Sequence, residues 1–158
     1  MKGLLLVIFM FFTAVQSLPA ESDLEKGLNA IARKEYKLAH QLLRPIAAKG
    51  NGKAMTALGF MYENEMGVAR NYGEAVALYE DAARRGNADA MFNIAMMYYK
   101  GRGLGQDYRQ AVVWLRRAGE KGHPQACYTL GFMYEYGIWF TANRWSAKRW
   151  YKAAGLYD

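Results

Sequence analysis

The apolar positions of this chain fall at helical spacing, and the spacing then repeats. Met55, Leu58 and Tyr62 stand three and four residues apart, as do Ala75, Tyr79 and Ala82, and Gly67-Val68 between them breaks any continuous helix. The hexapeptide LGFMYE occurs at Leu58 to Glu63 and again at Leu130 to Glu135, 72 positions later, with Ile94 to Tyr99 halfway and of the same pattern. The period is therefore 36, and it aligns without gaps Gly50, Gly86 and Gly122, Ala54, Ala90 and Ala126, Tyr62, Tyr98 and Tyr134, Ala75, Ala111 and Ala147, and Ala82, Ala118 and Ala154. Each unit reads as helix, glycine loop, helix.

Upstream, Tyr36, Ala39, Leu43 and Ile46 stand one period before Tyr72, Ala75, Tyr79 and Ala82, and a helix with the stripe Leu24, Leu28 and Ile31 precedes them behind the capping-box sequence Ser22-Asp23-Leu24-Glu25. That pair has a shorter connection, and Pro45 inside its second helix is expected to bend it. The organisation is four helix pairs, residues 21–50, 51–86, 87–122 and 123–158. One such pair cannot bury its own apolar face, so neighbours stack and the repeat in sequence is a repeat of an interface. Mid-helix glycine costs about 1 kcal/mol relative to alanine, so Gly59 and Gly131 predict close approach of a neighbouring backbone, with Ala95 in the same slot of the middle unit.

Residues 1–20 are of another kind. Lys2 gives a positive start and Leu4 to Val15 is almost wholly apolar, with small residues following, as in a secretory signal peptide cleaved after Ser17 or Ala20. The apolar run is about 12 residues, short of the roughly 20 that a spanning helix needs, so the mature domain is expected to be soluble, periplasmic or secreted, without stable membrane insertion. Loss of Lys2 turns 21 basic residues into 20 against 14 acidic, a balance of +6. Export argues against nucleic acid as the partner. The pairs Arg84-Arg85 and Arg116-Arg117 fall near predicted helix C-termini, where they complement the dipole, and Lys148-Arg149 lies within a helix as a solvated face. The single cysteine, Cys127, has no partner for an internal disulfide.

These residues resemble the Sel1-like repeats, relatives of the tetratricopeptide repeat, whose pattern is an alanine, LGxxY, a glycine-rich loop, AxxWYxxAA and a closing glycine. Ala54, Leu58-Gly59, Tyr62, Gly67, Ala75, Leu78-Tyr79 and Ala82-Ala83 carry it in the first full unit. Ala90, Tyr98, Gly101, Gly103, Ala111, Trp114 and Ala118 carry it in the next, and Ala126, Leu130-Gly131, Tyr134, Gly137, Ala147, Trp150-Tyr151 and Ala154 in the last. The third unit departs from the pattern with Trp139, then Phe140, where the earlier loops have Gly67 and Gly103, which leaves the geometry of that loop open. The resemblance implies an all-α fold, a right-handed α/α superhelical solenoid, that binds another protein or an extended peptide and performs no chemistry itself. With the short signal it also implies a bacterial cell envelope.

The inventory for catalysis is poor. His40 and His123 fall in different units, His123 as a turn residue before Pro124, and Cys127 occupies the core slot of Met55 and Met91. No metal site or cofactor is expected, and Met61, Met97 and Met133 follow core spacing. The alternative function, an enzyme or ligand-binding protein acting on cell-wall peptides or β-lactams, has family precedent, but in cysteine-rich members with a disulfide in each repeat.

Binding has more support. About 200° round each first helix from the leucine stripe lie Lys53, Thr56, Phe60 and Glu63, then Asp89, Phe92, Met96 and Tyr99, then Gln125, Tyr128, Phe132 and Glu135. The resemblance implies that these line a concave groove; Phe60 then serves either a partner or the adjacent first helix. Trp139, Phe140 and Trp145 match no core position and form a second candidate, covering the open end of the solenoid or docking another protein, a second copy included.

Overall fold

The computed structural model describes residues 22–156, so the signal-peptide expectation and Tyr157 lie outside the described residues. The described residues form an all-helical solenoid of four pairs: α1 (Asp23–Ala32) with α2 (Tyr36–Ala48), α3 (Gly52–Glu63) with α4 (Tyr72–Arg84), α5 (Ala88–Lys100) with α6 (Tyr108–Glu120), and α7 (Pro124–Tyr136) with α8 (Arg144–Ala153). Each second helix packs on its own first helix, and α2, α4 and α6 also pack on the first helix of the next pair, while α1 also touches α3 and α3 touches α5. The approach of first helices to one another puts them on one common face.

Local chemistry fixes the helix starts. Ser22 Oγ accepts from the Glu25 N–H at 3.2 Å and the Glu25 carboxylate takes the Ser22 N–H at 2.8 Å, the reciprocal box that the sequence predicts. These bonds hold the exposed Glu25 carboxyl below its ordinary range. Asn51, Asn87 and His123 cap α3, α5 and α7, and Asn71, Asp107 and Asn143 cap α4, α6 and α8. The caps therefore follow the 36-residue period as faithfully as the core does. The alanines at 54, 90 and 126 and at 75, 111 and 147 are buried, which lets the helices approach closely. Met61, Met97 and Met133 are buried as their spacing implies. Helix α2 continues past Pro45 to Ala48.

The third loop keeps the geometry of the others despite Trp139. Each long loop has two left-handed residues, Glu65 and Gly67, Gly101 and Gly103, Gly137 and Trp139, with φ between 59° and 69°. Equivalent bonds close all three, Met66, Arg102 and Ile138 donating to the carbonyls of Met61, Met97 and Met133. Gly67 and Gly103 lie so close to Tyr36 and Tyr72 that a Cβ would stand 2.6 Å from either tyrosine Cβ. Trp139 meets the equivalent tyrosine, Tyr108, by stacking on it, with ring centroids 5.1 Å apart. That contact accompanies a backbone conformation costing about 1–2 kcal/mol for a non-glycine residue.

Candidate functional site

The predicted groove residues separate into inward and outward members. Lys53, Thr56, Phe60 and Asp89 line one depression together with Leu28, Ile31, Ala57 and Asn93. Within it Thr56 is buried and its hydroxyl donates to the Gly52 carbonyl at 2.7 Å, so Thr56 is spent on its own helix. Phe60 is 41% exposed, and Tyr99, Tyr128 and Phe132 are also exposed, a broken row of aromatics along the first helices. Gln125 is exposed beside Tyr128 on α7.

Glu63 is not a groove residue of the expected kind. It is buried, accepts the Tyr79 hydroxyl at 3.1 Å and pairs with Arg102 of the next unit at 3.3 Å. Burial, then the Glu63 charge, pushes the Tyr79 hydroxyl pKa far up. Glu135, although exposed and without an arginine, likewise accepts a tyrosine hydroxyl, that of Tyr151, at 2.7 Å. There burial first, then the Glu135 bond, raises the Tyr151 pKa well above its usual value.

The same tyrosines explain the mid-helix glycines and correct the expectation about them. A Cβ on Gly59 would lie 2.7 Å from Tyr79 Cε1, and one on Gly131 would lie 2.6 Å from Tyr151 Cδ1. What approaches each glycine is a ring, not a backbone. In LGFMYE the glycine makes room for the tyrosine and the glutamate binds its hydroxyl. The hexapeptide recurs where that tyrosine recurs.

The middle unit has neither. Position 115 is leucine, position 95 is alanine and position 99 is Tyr99, turned outward and half exposed. The loop residue that would carry the arginine is Ile138. The result is an apolar cavity of about 540 Å³ between α5, α6, α7 and the third loop. Met96, Tyr99 and Phe132, all predicted for the groove, line it with Trp139, Tyr108 and Ile138. Tyr99 meets Tyr108 edge-on at 5.4 Å, and Tyr108 continues into the Trp139 stack. Tyr108 and Ile138 escaped the sequence reading, although Tyr108 is the period-mate of Tyr36 and Tyr72, and Ile138 that of Arg102.

Phe92 packs face to face on His123, ring centroids 4.4 Å apart. His123 is buried at the start of α7, its Nδ1 accepting the Ala126 N–H at 3.1 Å and its Nε2 lying 3.5 Å from Asp89 Oδ1. The cap fixes the tautomer with the proton on Nε2. Desolvation lowers the His123 pKa, against a smaller upward pull from Asp89.

The three C-terminal aromatics do not share a surface. Trp139 belongs to the apolar cavity. Phe140 stacks on Tyr134 at 4.3 Å under the Arg116 guanidinium and faces α6. Trp145 lies in a depression with Glu135, Arg144, Lys148 and Tyr151. The single covering or docking patch expected of them is therefore divided, because the left-handed turn at Trp139 and the start of α8 send successive side chains to different sides of the pair.

Chemistry is scarce here. Cys127 is buried, its thiol 3.4 Å from the Gly119 carbonyl and its pKa raised by desolvation, which keeps it in the unreactive form. His40 Nε2 lies 3.3 Å from the Tyr62 hydroxyl, at the far end of the array from Cys127. Among the described residues no three His, Cys, Asp or Glu side chains converge on a metal-sized site, and no helix is long and apolar enough to cross a membrane.

The fold and its repeats have known relatives. The Sel1 repeat profile matches residues 52–87, 88–123 and 124–156. A Sel1 repeat protein from Oxalobacter formigenes superposes with a TM-score of 0.75 at 32% identity, over 84% of this chain and 54% of that one. The protein c5321, a protective antigen present in uropathogenic Escherichia coli strains and displaying an SLR fold, superposes with a TM-score of 0.72 at 31% identity, over 84% of this chain and 29% of that one. This chain thus spans about half of the first relative and less than a third of the second. No curated protein matches it significantly. Sel1 repeat proteins are in general scaffolds for protein–protein interaction and typically non-catalytic. Three consecutive repeats in one register, on a solenoid of this shape, make the chain a member of the Sel1 repeat family.

Proposed function

We propose that this chain is an exported interaction scaffold that binds a protein or an extended peptide along its first-helix face, as an adaptor or regulator in the bacterial cell envelope. The observation that carries the reading is the apolar cavity of the middle unit, where Tyr99, Phe132 and Trp139 stay exposed around a space of about 540 Å³. Exposed aromatic and methionine side chains in a concave apolar site offer area and adaptability to a partner side chain. In the units on either side the Tyr99 position is held by Glu63 and Glu135, which bind tyrosine hydroxyls. No chemistry is ascribed to the chain, since Cys127 is enclosed and both ring nitrogens of His123 are engaged.

The test is photo-crosslinking in cells from a benzoylphenylalanine at position 99, with Arg109 on α6 as control and mass spectrometry as readout. A partner captured from position 99 and lost on Trp139→Ser supports the face as the binding site. Equal capture from both positions, or none from folded and exported protein, overturns it. Fractionation of the same cells tests export, which fails if the full chain stays cytoplasmic. Turnover of a chromogenic β-lactam above a heat-treated control would replace the scaffold reading by the enzymatic one.

A further inference from the structure

Helix α8 carries Arg144, Lys148, Arg149 and Lys152 and no acidic residue. At 100° per residue these four and Trp145 fall within one arc of about 140°, which buried Tyr151 and Ala147 border on the Arg144 side. All five are exposed, and Trp145, at 72%, is the most exposed large apolar side chain among the described residues. None of the four cations enters an ion pair among the described residues, a condition they share with most of the lysines and arginines before them; what sets them apart is their gathering around Trp145 on one helix without an acidic residue. The exposed carboxylate of Glu135 lines the same depression as Arg144, Trp145 and Lys148 while accepting the Tyr151 hydroxyl, and the four cations outweigh it.

Helix stability does not account for this face. Arg144 opens the helix and Lys148 lies one turn on, so two of the cations sit towards the end where the dipole is positive and opposes them. An exposed indole flanked by unpaired cations is instead complementary to a surface that is anionic at its outside and apolar just beneath. The arc presents no Asn, Gln, Asp or Glu that would read a particular protein partner, and its long cations can follow mobile phosphates.

We infer that this face of α8 docks on an anionic phospholipid surface, with Arg144, Lys148, Arg149 and Lys152 on headgroup phosphates and the Trp145 indole at the boundary of the acyl region. It is a peripheral contact: α8 has 10 residues and does not enter the bilayer core. The inference stands apart from the binding face on the first helices and fails or holds without it.

The experiment is co-sedimentation of the signal-free chain with vesicles of phosphatidylglycerol and phosphatidylcholine, against vesicles of phosphatidylcholine alone, followed also by tryptophan emission. The expected result is binding to the acidic vesicles only, weakened by salt, with a blue shift that Trp145→Phe removes. The double variant Lys148→Ala/Lys152→Ala should lower partitioning about 25-fold, from roughly fivefold per cation. The pair Lys37→Ala/Lys49→Ala, which removes equal charge from the other end, should change it little. Circular dichroism establishes that each variant is folded. Absence of sedimentation with acidic vesicles at low salt overturns the inference, as does an equal loss in the control pair. Binding to polyglutamate or to short single-stranded DNA as strong as to vesicles, without a change in Trp145 emission, would make the face a general polyanion site and also overturn it.

Discussion

The first full unit and the middle unit share one backbone, one set of caps and one loop geometry, but fill the space between their helices in opposite ways. In the first, Tyr79 lies against Gly59, its hydroxyl is held by Glu63, and Arg102 neutralises that carboxylate from the next unit. In the middle, Leu115 lies where Tyr79 would, Ala95 replaces the glycine, Tyr99 replaces the glutamate and Ile138 replaces the arginine. Four positions spread over 44 residues, from 95 to 138, change together: the two charged residues and the buried tyrosine hydroxyl are lost, and alanine takes the glycine's place. The lesson is that the residues meeting at one junction change as a set, with the backbone of the repeat unchanged. Where the polar lock is absent, the same volume opens to solvent as a cavity.

That comparison can be broken most severely at its centre. Tyr79→Ala should cost about 3–5 kcal/mol, as expected for deleting a fully buried aromatic ring, and would be read from urea unfolding. Gly59→Ala should cost about 1–3 kcal/mol through overpacking, despite alanine's better helix propensity. The double variant Gly59→Ala/Tyr79→Leu installs the middle unit's pair and should recover most of the Gly59→Ala loss. If the double variant is as unstable as the sum of the singles, the ring contact is not why glycine stands at position 59.

A smaller effect separates packing from polarity. Tyr79→Phe keeps the ring and leaves Glu63 with Arg102 as its partner, at a cost of about 1 kcal/mol. It should also change the alkaline limb. The hydroxyl pKa is raised in the fold above its ordinary 10, so the unfolded chain releases its proton first and stability falls as pH rises above 10. Tyr79→Phe should flatten part of that fall, and Tyr151→Phe another part. No comparable effect is expected from Leu115.

The smallest effect lies at the caps. His123 replaces the asparagine of the two preceding first helices, and its pKa is lowered in the fold from 6.5. The unfolded chain therefore takes up the proton first, and stability is full above pH 6.5 and falls as pH drops through that value towards the depressed one. His123→Asn should leave neutral-pH stability within about 0.5 kcal/mol and remove that acid slope. A slope unchanged in the variant would assign it to another group.

Much of this was legible in the chain. The caps, the loop glycines and the alanine columns act within one or two turns, so the 36-residue period displays them directly. Candidate site residues were legible only as directions around a helix. Lys53, Phe60, Tyr99, Tyr128 and Phe132 emerged outward, while Thr56, Glu63 and Glu135 answer to partners on their own or neighbouring helices. A signal for the tyrosine lock was present, since glycine and glutamate appear at 59 and 63 and at 131 and 135 only where tyrosine follows at 79 and 151. It gains meaning once the helices are seen to cross at that point.

The sequence by itself determined the number of helix pairs, their starts, their loops and the stacking of one unit on the next, because each rests on near-neighbour hydrogen bonds and a fixed angular period. The tertiary structure alone decided that Tyr99 and Trp139, some 40 residues apart, close one cavity. It also decided that Trp139, Phe140 and Trp145 part company and that the cations of α8 face outward without partners. These outcomes depend on how far apart non-local side chains finally lie, a distance set by the packing of whole helices and carried by no short stretch of chain.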